Sequence, residues 1–388
     1  ELVKVGEKKM SGARKKLLGC RAFLAMGGCA ALMIGAMSAS TDAAAQSAGK
    51  APVALNATEL EPTPDPSLSF NDMAQAMGLF EKYGLSYVPG PKLGGGGPAR
   101  VQAVVTNNTE VATSDIISVM GAIYSGAKIK ILMVMTPYGD EEVLGLKKYK
   151  TLKDAVGLAW GVASLGGAQR FNAQMTAVGM GFKPDAFRWT AISGADAARL
   201  EALDTGRTQL ANLSHLGALL AAAKGYTKQV HVIVEHSAKY TPPVPRLVVV
   251  ASADWLASHQ DVATHYVEMM LDANRQWEND AQAWVAAAGK IYAAAGLSDQ
   301  QLLQAWKEFH DGGYFSINGG INFAATQKIM DLFFKLRTES PNQSLSKPAD
   351  IYDTGPLQAA LDKMGVVKGT PGLPDTPDWY KGKGVAAH

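Results

Sequence analysis

The chain has 388 residues, with 37 Lys and Arg against 35 Asp and Glu and a formal charge of +2. Residues 1–45 hold seven of the basic and three of the acidic residues, leaving 30 against 32 in the remainder, so the clustered basic footprint of a nucleic-acid binder is missing. Both cysteines, Cys20 and Cys29, fall in that first segment; the remainder has no disulfide and no thiolate metal site, and core burial must stabilise it.

Arg14, Lys15 and Lys16 precede an apolar run from Ala22 to Met37, and Ala43-Ala44-Ala45 follows. This is the pattern of a secretory signal peptide over residues 1–45, with Met10 as the expected start. The run falls short of the roughly 20 residues that span a bilayer. Met26-Gly27-Gly28-Cys29 resembles a lipoprotein cleavage box with Met in place of Leu, which would make Cys29 a lipid anchor. The leader places the rest of the chain in the periplasm, without cytosolic ATP.

Residues 46–66, rich in Ala, Pro and Thr, read as a flexible arm. Met73, Ala76, Met77 and Phe80 then mark a helix face. Leu85–Val88 reads as a strand, Pro98 opens a helix carrying Val101, Val104 and Val105, and residues 110–113 read as a strand. Ile116, Ile117, Met120, Ile123 and Tyr124 form another helix face. Ile129–Met135 is a continuous apolar run, as in a strand buried on both faces. Thr151 and Asp154 fit a capping box. Strands follow at 158–162, 187–192, 209–213, 230–234 and 246–250, with helices at 167–180, 195–203 and 216–223 between them. This alternation implies two parallel-type sheets with covering helices. Residues 253–286, 299–310 and 323–337 read as a helical extension, and the Pro- and Gly-rich tail 370–388 as surface.

Several segments carry a resemblance. Gly78-Leu79-Phe80-Glu81-Lys82-Tyr83-Gly84-Leu85, the glycine run Gly94–Gly97 with Arg100 and Val101, and Glu110–Asp115 occur in order. Tyr149–Asp154 with Gly157, and Ala195–Leu203 with Gly206, follow. In this the chain resembles the periplasmic solute-binding proteins of ABC importers, in the branch that takes sulfonates, nitrate and thiamine-precursor pyrimidines. The resemblance runs from about Leu68 to Ala286. It implies an α/β fold of two lobes, each a sheet covered by helices: residues 67–138 and 246–388 in lobe 1, residues 139–245 in lobe 2. The expected crossings are Ile129–Tyr138 and Arg246–Val250. It also implies a monomer without cofactor or catalysis that hands a small solute to an ABC permease and its ATPase subunit, and meets the membrane only through that permease or a lipid anchor. A pyrimidine-precursor synthase of the same fold is the enzyme alternative, but that branch uses a cysteine-rich iron motif. A receptor for a non-ABC system is the other alternative.

Candidate ligand contacts sit at helix starts and strand ends, where N–H groups are unpaired. Gly95 and Gly96 form a backbone nest, or a plain turn. The same letters fit a dinucleotide fingerprint, with no acidic residue at a suitable strand end. Ser164, Gly166 and Gly167 form the corresponding loop of the second half, with an N-cap as the plain alternative. Ser193, Asp196 and Ser214 follow two further strands. Phe70, Asn71, Ser114 and Asp115 are either cleft residues or caps, and Tyr138 could stack on a ring. Arg100 is a candidate bidentate anion contact, Arg170 a solvated arginine. Trp160 could likewise stack on a ring, with core packing as its plainer reading, and His215 reads as a surface or packing residue. His231 and His236 lack the spacing of a metal pair. The glycine-rich starts point to an anionic solute.

Overall fold

The computed structural model describes residues 51–59, 69–91, 93, 96–139, 141–194, 196–223, 225, 229–292, 296–336, 347–369, 374–382 and 385–386. The expected signal peptide lies outside these residues, as does Gly95.

Ten strands form two five-stranded sheets of the same topology. In the first, β1 (Val53–Thr58) pairs in parallel with β2 (Leu85–Pro89) and β3 (Val111–Asp115). The chain then forms β4 (Ile129–Thr136) and leaves for the second sheet. There β5 (Glu142–Leu146) is followed by β6 (Ala159–Val162), β7 (Arg188–Ala191), β8 (Leu210–Leu213) and β9 (Val230–Val234). The chain returns as β10 (Leu247–Ser252), which lies antiparallel between β3 and β4. The sheet orders are β2-β1-β3-β10-β4 and β7-β6-β8-β5-β9. Each sheet therefore inserts one antiparallel strand, the one adjoining a crossing, into an otherwise parallel set.

Helices cover these sheets because the central strands β3, β8 and β10 are buried on both faces. Around the first sheet run α1 (Phe70–Ala76), α2 (Leu79–Lys82), α3 (Gly97–Val105) and α4 (Ile116–Tyr124). Around the second run α5 (Ala168–Gly179), α6 (Asp196–Asp204) and α7 (His215–Ala223). The C-terminal part adds α8 (Ala253–Leu256), α9 (Gln260–Asn279), α10 (Ala281–Tyr292), α11 (Asp299–Asp311), α12 (Phe323–Leu336), α13 (Pro348–Ile351) and α14 (Gly355–Met364). Trp277, Trp284, Phe309 and Phe333 join the large core under the first sheet. Trp160, Phe187 and Val162 anchor a separate core under the second. The capping box holds: Asp154 accepts from the Thr151 N–H at 2.9 Å and starts a short 3-10 turn.

Four expectations are corrected. Residues 53–58 are strand β1 rather than part of a flexible arm, with Leu55 and Ala57 fully buried between β2 and β3. The sheets are mixed rather than parallel throughout. The connections run at residues 137–141 and 235–246, because Ile129–Thr136 and Leu247–Ser252 are paired strands inside the first sheet. The tail is not all surface: Asp375 is buried, accepting from Ser316 Oγ at 2.7 Å and from the Asn318 N–H at 3.1 Å.

Two buried carboxyls set a pH dependence. Glu59, at the end of β1, accepts from the N–H groups of Asn71 and Asp72 that open α1. Burial, then the Asp72 charge, pushes it up to about 8. Burial likewise pushes Asp375 up to about 6. A carboxyl raised on folding stabilises fully below its unfolded pKa, and that contribution is lost as pH rises through the folded value. Urea unfolding should therefore show stability falling between pH 5 and 8, by on the order of a few kcal/mol. Glu59→Gln should flatten the upper part of that slope; an unchanged slope would remove Glu59 as its source.

Candidate functional site between the two sheets

Both connections meet in one buried polar cluster. The carboxylate of Glu141, 0% exposed, pairs with Arg246 and accepts from Asn212 Nδ2 at 2.7 Å. Its own N–H donates to Ser237 Oγ at 2.8 Å, and the Ser237 N–H donates to its carbonyl at 3.0 Å. Asn212 in turn accepts from Trp160 Nε1 at 2.7 Å. Burial pushes the Glu141 carboxyl up; the Arg246 charge and the Asn212 bond pull it back. The outgoing and returning chains are thus tied together and to the second core.

Beside this cluster lies a cavity of about 310 Å³. The connections contribute Tyr138, His236 and Arg246. The second sheet contributes Gln169 from the first turn of α5, Asp196 from the start of α6, and Ser214 and His215 from the start of α7. The C-terminal end of α11 closes it with Glu308, Phe309 and Asp311, followed by Tyr314. His215 Nδ1 is 2.8 Å from Glu142 Oε1, and the His215 and His236 rings are 5.2 Å apart. The same Nδ1 lies 3.9 Å from Glu308 Oε2, across the gap between the second sheet's helices and α11. Burial raises the Glu142 carboxyl, and His215 opposes that. Asp196 accepts from the Ser214 N–H at 2.9 Å and its hydroxyl at 2.7 Å, and pairs with Arg199.

The glycine-rich helix starts of the two halves also face each other. A Cβ placed on Gly96 would lie 3.7 Å from Ser164 Oγ and 3.9 Å from Ala163 Cβ. Between the starts of α3, α4 and α5 sits the carboxylate of Asp115, the N-cap of α4, which accepts from the Ser118 N–H at 2.8 Å and its hydroxyl at 2.7 Å. The seat expected for an anion at Gly167 thus holds a carboxylate of the protein itself.

The expected contacts divide accordingly. Tyr138, Asp196 and Ser214 line the cavity. Gly96, Asp115, Ser164 and Gly167 come together at the facing helix starts, and Gly166, next to Gly167, lines a shallow groove with α3 and α4. Phe70 is core, 6.2 Å from Trp277, and Asn71 is buried, accepting from Tyr266 Oη at 2.7 Å. Buried Arg100 donates to the Glu59 and Leu93 carbonyls, and buried Ser114 donates to the Gly97 carbonyl at 3.1 Å. Ser193 is exposed. These five lie at structural or surface positions outside the lining of the cavity. Gln169, Arg246, Glu308, Phe309, Asp311, Gly312 and Tyr314 line the cavity as well, without being among the expected contacts. Only the return connection gave a signal, in Arg246 directly before an apolar strand. His215 and His236, set aside as packing or improbable ligands, line the cavity.

No protein-family model matches the chain, and no curated protein matches it in sequence. Solved structures do match in fold. A Bordetella bronchiseptica protein superposes with a TM-score of 0.63 at 17% identity, over 81% of this chain and 98% of that one. The ligand-binding component of an ABC-type import system from Staphylococcus aureus, with zinc bound, gives 0.60 at 16%, over 80% and 99%. The alkanesulfonate-binding protein SsuA from Xanthomonas axonopodis pv. citri, bound to MOPS, gives 0.60 at 13%, over 79% and 99%. This chain has the periplasmic-binding-protein fold. At these identities the likeness establishes architecture; the chemistry of a solute site has to be argued from this chain's own residues.

Proposed function

We propose that the protein is an extracytoplasmic solute-binding protein that captures a small organic solute between its two sheets and delivers it, unaltered, to an ABC permease and its ATPase subunit. The observation that carries this reading is the cavity at the connections, lined at once by both crossings, by three helix starts of the second sheet and by the end of α11. Enclosed clefts between lobes are where such folds hold ligands. The import and sulfonate-binding proteins among the structural neighbours support the same reading.

An anionic head group suits the side lined by Arg246, His215 and His236, and Tyr138 and Tyr314 suit an organic body. A thermal-shift panel of sulfonates, carboxylates, nitrate and pyrimidines tests this, because a ligand selective for the folded state raises Tm. At least one anionic organic solute should do so. Tyr138→Ala should weaken its binding about tenfold, or about 1.4 kcal/mol, with the circular dichroism spectrum kept. A panel without any stabilising solute, or chemical turnover of one, would refute the proposal.

A further inference from the structure

We propose that Asp115 is an internal anion that latches the two lobes shut: its carboxylate fills the facing helix starts of both halves and so takes the seat a solute anion would otherwise occupy. This rests on the two-lobed binding reading and deepens it, because it makes Asp115 a determinant of which solute groups the protein accepts.

An ordinary N-cap serves its own helix. Asp115 does that for α4 through the Ser118 N–H and hydroxyl. It goes further, because the start of α5 lies against the same carboxylate: a Cβ on Gly167, the N-cap of α5, would lie 3.5 Å from Asp115 Oδ2. α4 follows a strand of the first sheet and α5 a strand of the second, so one side chain serves both halves of the clamshell. The start of α3 completes the enclosure. Each helix start carries about half a unit of positive charge, and a carboxylate shared among them is stabilised by all. The group is only 4% exposed: burial pushes its carboxyl up, and the Ser118 hydrogen bonds and the Arg246 charge pull it back toward the anion.

The glycines are what make room for it. A Cβ on Gly97 would lie 1.7 Å from Asp115 Oδ2, a contact no side chain tolerates. A Cβ on Gly167 would lie 2.7 Å from Ser164 Oγ and 3.5 Å from the same carboxylate oxygen. The glycine-rich loops therefore admit a protein carboxylate where the pattern suggested a nest for a ligand. Phe171 and Met175 of α5 share one buried apolar cluster with Ile116 and Ile117 of α4, so the latch sits at the edge of a packed contact. Two consequences follow. The solute-free protein populates the closed form, and a solute's anionic group is held beside Arg246, His215 and His236, away from the start of α5.

Small-angle X-ray scattering on refolded, solute-free protein tests this, with acetate as an external carboxylate. Wild type should be compact and insensitive to acetate. Asp115→Ala should have a larger radius of gyration and a lower Tm, and millimolar acetate, but not chloride, should restore both. The conservative Asp115→Asn variant should open likewise, and so should Gly97→Ala, whose new methyl group expels the carboxylate while leaving it in the chain. These two carry the test if Asp115→Ala does not fold. Folded variants as compact as wild type, an open wild type, or an Asp115→Ala protein that stays open in acetate would overturn the proposal. No transported solute enters this experiment, so its failure leaves the solute-binding reading standing. A closed wild type that binds nothing in the solute panel fails that reading alone.

Discussion

Replacing Arg246 with Ala is expected to lower the unfolding free energy by about 3–5 kcal/mol, because it strands a fully buried carboxylate. Glu141 has no water to turn to, and Asn212 alone cannot replace a guanidinium. Arg246 also lies in the return connection, so its loss frees the two crossings from each other. Denaturant unfolding measures the cost. Removing both charges together, as Glu141→Gln with Arg246→Met, should be markedly less damaging than the single change, because no unpaired charge remains inside. A single variant within 1 kcal/mol of wild type would show that the pair does not secure the crossings.

Trp160→Ala is expected to cost about 3–5 kcal/mol, the range for emptying a large aromatic site in a packed core. Trp160 is fully buried, edge-on to Phe187 at 4.9 Å and 5.3 Å from Trp189. Its Nε1 holds Asn212, and Asn212 holds Glu141. The substitution therefore opens a void and also loosens the crossing cluster from the second core. Its effect should combine non-additively with Arg246→Ala, since the two share partners. Additive losses would mean that the core and the connections are energetically separate. Phe at position 160 should recover most of the packing but not the link to Asn212.

Most of the fold was legible because its elements carry strong local patterns. Ile129–Met135 reads as a doubly buried strand and is one, and the helix faces of α3 and α4 follow the apolar spacing, whereas the face read through Met73, Ala76, Met77 and Phe80 is broken at Gly78 into α1 and α2. Strands β1 and β5 were not legible. Each is short and interrupted, by Asn56 in one and by Glu142 and Gly145 in the other, so pairing on both sides, rather than propensity, makes them strands. The break between α9 and α10 at Asp280 was hidden inside one continuous periodic stretch.

The site was only half legible for a related reason. Tyr138, Asp196 and Ser214 follow strand ends, and that position alone aims them at the gap. Phe309 and Tyr314 reach the same cavity only because α11 packs against α7, a long-range contact that no local pattern encodes. Asp115 reads from sequence as cleft or cap, and the structure shows the cap. Arg100 shows the reverse error, since an arginine one turn into a helix looks like an anion contact until its carbonyl partners are seen.

Hydrogen–deuterium exchange, with and without the panel solute that raises Tm most, tests the central claim most directly. The account predicts protection in both connections, at residues 136–141 and 235–247, together with the start of α7 and the end of α11. Protection confined to the helices of one sheet, or to the outer groove around residues 118–127, would contradict it.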